Sequence, residues 1–89
     1  MERIGIPEEA SAEIVPSAAT AQMLYELGLN YCSGREASRD YVTAHKWLNL
    51  AALKGSREAK LCRCELSREM TAAEVYEAQR QARAWLTLH

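Results

Sequence analysis

The chain has 89 residues, enough for one domain with a small core and too few for a large active-site cleft. Eleven lysines and arginines stand against twelve aspartates and glutamates, a net charge of -1, so no overall basic field exists to hold nucleic acid or an anionic membrane. The cysteine count is odd, the N-terminus lacks the basic, apolar and small-residue order of a signal peptide, and no apolar run approaches the roughly 20 residues of a membrane span. The expectation is a soluble cytoplasmic protein with reduced thiols, no nucleic-acid partner and no membrane partner.

Residues 1–16 form a tail. Pro7 and Pro16 interrupt it, and Glu8, Glu9 and Glu13 mix with Ile4, Ile6, Ile14 and Val15 in no sustained period, which leaves docking and disorder both open. Beyond Pro16 the pattern predicts four helices. The first spans about Ser17 to Cys32. At about 100° per residue, Met23, Leu24, Leu27, Tyr31, Tyr25 and Leu29 cover most of its circumference and leave Gln22, Glu26, Asn30 and Ala19 for water. A helix this apolar requires neighbours on two sides. Gly34 suits the left-handed end of that helix.

The second helix starts near Asp40, a carboxylate fitted to the positive end of the helix dipole, and buries Tyr41, Ala44, Trp47, Leu48, Ala51 and Ala52. It stops at Lys54-Gly55. Leu50 and Leu53 fall partly outside its stripe. Ser56 caps a third helix with a core stripe of Ala59, Cys62, Leu66 and Met70. Thr71 and Glu74 make a capping box that opens a fourth, with Val75, Ala78, Ala82, Trp85 and Leu86 on one side. No segment alternates at period two over strand length, so the fold class is all-α, two antiparallel helix pairs.

Cys62 and Cys64 look like a possible chelating pair until they are placed on a helix, where residues two apart point about 200° from one another. They cannot grip one ion together, and no C-x2-C or H-x3-H spacing accompanies them; no metal or other cofactor is expected. Catalytic motifs are also lacking: there is no G-x-S-x-G elbow, no H-E-x-x-H and no phosphate-binding glycine loop. Arg80 and Arg83 on the last helix more often keep a helix face wet than read phosphates. The chain is expected not to be an enzyme.

Leu27-Gly28, Tyr31, Gly34, Asp40-Tyr41, Ala44, Trp47, Ala51-Ala52, Gly55 and Ala59 carry a likeness at ungapped spacing. Over about residues 18 to 60 the chain resembles the Sel1-like repeat, a family of α/α hairpins related to tetratricopeptide repeats. Leu66, Met70-Thr71, Ala78, Ala82 and Trp85 resemble the closing hairpin that often follows the last repeat in bacterial proteins. The resemblance implies a short right-handed α/α solenoid: residues 17–55 as the repeat hairpin, 56–89 as a partial repeat and capping hairpin. Two positions depart from the family pattern, Glu36 in place of a second loop glycine and Arg63 in place of the leucine equivalent to Leu27. In the repeat register Tyr25 corresponds to Leu61 and Gly28 to Cys64, which makes Cys64 a small residue at a helix contact.

The resemblance further implies an adaptor or scaffold that holds a partner protein's peptide or helix in a groove lined by the first helix of each pair. Gln22, Tyr25, Leu29 and Cys32 would line it in the first hairpin, and Glu58, Leu61, Glu65 and Arg68 in the second. Tyr and Leu would anchor while Glu65 and Arg68 set register. The bland alternatives are that Tyr25 packs on Leu61 between helices and that the charged pair is a solvated face. A single repeat with one cap also leaves an end that a second copy would cover, so a homodimer or an obligate helical assembly subunit without a groove is the competing expectation.

Overall fold

A computed structural model describes residues 19–33 and 40–88. The tail over residues 1–16, Gly34 and Glu36 lie outside the described residues. Four helices are present among them: α1 (Ala21–Ser33), α2 (Tyr41–Leu53), α3 (Arg57–Ser67) and α4 (Ala72–Leu88). The fold is all-α, built of packed helix pairs, and the described residues contain no strand.

Local chemistry sets the helix ends. The α1 helix starts after Thr20, whose hydroxyl accepts from the Met23 N–H at 3.2 Å, and not at Ser17. Ala19 is consequently off the helix and buried, and its carbonyl accepts a 2.8 Å bond from Lys54 Nζ. At α2, Asp40 accepts from the Thr43 N–H at 3.0 Å and from its hydroxyl at 2.6 Å. The α2–α3 link is two overlapping caps. Ser56 N–H donates to the Ala51 carbonyl and Gly55 N–H to that of Ala52, both at 3.0 Å, while Ser56 Oγ accepts from Ala59 N–H at 3.0 Å. Gly55 has φ +109°, a conformation L side chains rarely adopt. The α3 helix has no glycine to stop it. It tightens instead into i→i+3 bonds from the N–H groups of Arg68, Glu69 and Met70. Thr71 and Glu74 then form the expected capping box, with bonds of 2.8 and 3.1 Å.

The core is organised on α2, against which α1, α3 and α4 all pack. Gly28 permits the α1 contact: a Cβ there would lie 2.8 Å from Cγ and Cδ2 of Leu48 and 3.3 Å from the Ala44 carbonyl. From α4, Trp85 meets Trp47 edge-on, with ring centroids 5.9 Å apart. Leu66 and Ala59 of α3 and Ala78 and Ala82 of α4 complete the buried set.

Three-sided packing buries more of α2 than a single stripe accounts for, and His45, Lys46 and Leu50 are buried together with Ala44, Trp47, Leu48 and Ala51. Leu53 remains exposed. Two side chains assigned to apolar faces turn outward: Met23 lies well round α1 from Gly28, and Leu86 lies at the flank of the buried row of Ala78, Ala82 and Trp85 on α4.

Candidate interaction surface

The first and third helices touch where the Tyr25 hydroxyl lies 3.9 Å from Cys62 Sγ. Cys62 is half-buried on the core stripe of α3, and Tyr25 and Cys32 of α1 are partly buried against the same core. Contact with Cys62, then burial, then the fields of Cys62 and Glu58 hold the Tyr25 hydroxyl above its ordinary pKa of 10.0. Glu58 occupies the first turn of α3, where a carboxylate suits the helix dipole.

Around that contact, the α1 edge of Tyr25, Leu29 and Cys32 is half-buried, with Gln22 exposed beside it and donating to Glu26 at 2.9 Å. On α3, Leu61 is 67% exposed, three residues after Glu58 and four before Glu65, so the three share one side of the helix. Glu65 and Arg68 are exposed, and Arg68 ends α3 with its N–H on the Glu65 carbonyl at 3.2 Å. Tyr25 and Cys62 are brought together, while Leu61, one residue before Cys62, projects to solvent.

Cys64 does not fill a helix contact as its equivalence to Gly28 implied; it is exposed. Gly28 is covered because α2 lies across it, whereas α4 lays its apolar side on α2 and leaves the Cys64 side of α3 uncovered. Arg63 is half-buried and donates to Asn49 Oδ1 at 2.6 Å, joining α3 to α2. His45 faces Ser67 one turn away, with Nε2 3.0 Å from Oγ. Sequence inspection missed this polar seam, although two polar residues at i, i+4 on each of two consecutive helices are its signature.

Elsewhere, a cleft of about 260 Å³ between α2 and α4 is lined by Lys46, Arg80, Gln81, Ala84, Trp85 and Leu88. Arg80 is turned to Glu77 in a two-bond pair of 2.9 and 2.6 Å, and Gln81 donates to the same carboxylate. Those bonds hold the Glu77 pKa down to about 2. Among the described residues, no three His, Cys, Asp or Glu side chains converge to hold a metal ion, and no helix is long and apolar enough to cross a membrane. Comparison with known proteins gives no match: no family model, no curated protein and no solved structure matches this chain.

Proposed function

We propose that the protein is a non-enzymatic interaction module of the Sel1-like type, an adaptor or scaffold that holds a partner protein's peptide or helix between α1 and α3, in bacterial regulation or complex assembly in the cytoplasm. One observation carries the proposal: the half-buried Tyr25 of α1 meets Cys62 of α3 at 3.9 Å, and beside Cys62 stands Leu61, 67% exposed between Glu58 and Glu65. An exposed leucine flanked by charges beside a recessed aromatic edge has the form of a docking surface, with apolar anchors and a polar rim.

Leu61→Asp tests it without touching the core. The variant is expected to keep its helical content and melting temperature, read by circular dichroism, and to lose the partner that the wild type retains from a cell lysate. Retention of that partner by the folded variant overturns the groove. A second proposal, self-association, is favoured by Leu53 at 64% and Leu88 at 76% exposure. Light scattering at several concentrations distinguishes the two: a dimer disrupted by Leu53→Asp supports self-association, and a monomer throughout removes it.

A further inference from the structure

The α2–α3 contact contains a two-rung polar seam that the groove does not use. His45 and Asn49, one turn apart on α2, meet Ser67 and Arg63, one turn apart on α3. Ser67 Oγ also donates to the Arg63 carbonyl at 2.9 Å. A hydroxyl has one proton, so with that proton spent the Ser67 oxygen accepts from His45, and the imidazole carries its hydrogen on Nε2. Nδ1 is left as a bare acceptor. It is buried with no hydrogen-bond partner, in a side chain only 1% exposed.

A second proton has only Nδ1 to occupy. There it would be shut in by burial and would face the field of the Arg63 guanidinium, and the His45 backbone, as a hydrogen-bond partner, would offset these only in part. The buried residues that α1 and α4 set against α2 are apolar, Leu24 and Gly28 from one and Ala78, Ala82 and Trp85 from the other; Tyr25 and Tyr31 of α1 pack partly buried against the same core, and Arg80 of α4, paired with Glu77, lines the neighbouring cleft with Lys46. From α3, Arg63 supplies the charge that His45 feels and Ser67 the neutral hydrogen bond. Relief comes from separating the two helices, because that gives the imidazolium water and distance from Arg63.

We infer that His45 is a proton-sensitive latch: neutral, it docks α3 on α2, and protonated, it releases α3. Burial first, and then Arg63, lower its pKa below the ordinary 6.5. The sign follows. The undocked imidazole binds its proton first, so docking is at full strength above pH 6.5 and weakens as pH falls from 6.5 to the lower docked value, where the loss levels off. The α1–α2 contact, centred on Gly28, Leu48 and Ala44, has no such group and stays closed. Release of α3 also parts Cys62 from Tyr25.

Amide hydrogen exchange on the full chain at pH 7.5 and 5.5, corrected for intrinsic rates, tests the latch. Opening of α3 is expected to rise by about tenfold relative to α1, the limit for one imidazole with an undocked pKa of 6.5. The His45→Gln variant, whose amide still donates to Ser67 but binds no proton, is expected to lose that pH dependence. Equal α3 protection at both pH values, or loss shared equally by α1 and α3, overturns the latch. Both outcomes are read on the wild type and stand even if the variant fails to fold.

Discussion

Gly28 is the residue at which two opposed effects can be weighed. A methyl group there gains about 1 kcal/mol of helix propensity over glycine. It also collides at 2.8 Å with Leu48, which has no exposed surface into which to swing. Overpacking of this kind costs about 1–3 kcal/mol and wins, so Gly28→Ala is expected to lower stability by about 1 kcal/mol in denaturant unfolding. The sign should reverse once the obstacle is gone: in a Leu48→Ala background the same change is expected to stabilise by about 0.5–1 kcal/mol. Glu77 offers a residue-scale test by pH. Its carboxyl is held at about 2 by Arg80 and Gln81, so its contribution is present above the ordinary value of 4.5 and lost as pH falls from 4.5 toward 2. Acid titrations of stability for wild type and Glu77→Gln should converge across that window and run parallel above it.

At the scale of the helix, the caps are the most exposed points of failure. Ser56 closes α2 through its N–H and opens α3 through its hydroxyl, so Ser56→Ala removes only the second function and is expected to cost about 1–2 kcal/mol. Gly55→Ala meets no neighbouring atom, yet at φ +109° it is expected to cost about 1–2 kcal/mol from backbone strain alone. Both should lower the urea midpoint at unchanged slope. These ends were legible in the sequence, as were the stripe of α3 and the Ala78, Ala82 and Trp85 part of the α4 stripe, because a cap or stripe depends on residues within one or two turns. The α1 start was set too early, just beyond Pro16, whereas the Thr20 hydroxyl caps the helix by accepting from the Met23 N–H. The burial of Leu50, His45 and Lys46, and the exposure of Cys64 and Leu86, were not legible: they follow from three helices sharing α2, which no periodicity within one helix records. For the candidate surface, repeat register brought α1 and α3 together on paper. Contact passes through Cys62, the neighbour of the expected Leu61.

For the whole molecule, the crossing of Trp47 and Trp85 holds the last helix to the centre. Trp85→Ala is expected to cost about 3–5 kcal/mol. A chain of this length has a total of about 4–13 kcal/mol at the usual stability per residue, so α4 should fray first, read as helical signal lost by circular dichroism while α1 amides keep their protection. Because α1 and α3 adjoin α2 in the chain, their docking closes short loops. The Trp47–Trp85 contact must wait for the whole of α3 and the turn at Met70-Thr71, which makes α4 the late-arriving helix in folding. That turn has no glycine and only three-residue bonds, and the seat on α2 recognises side chains rather than connectivity. An α4 peptide severed at Met70-Thr71 would therefore find the same seat in trans, and at high concentration two chains would exchange their last helices about that turn.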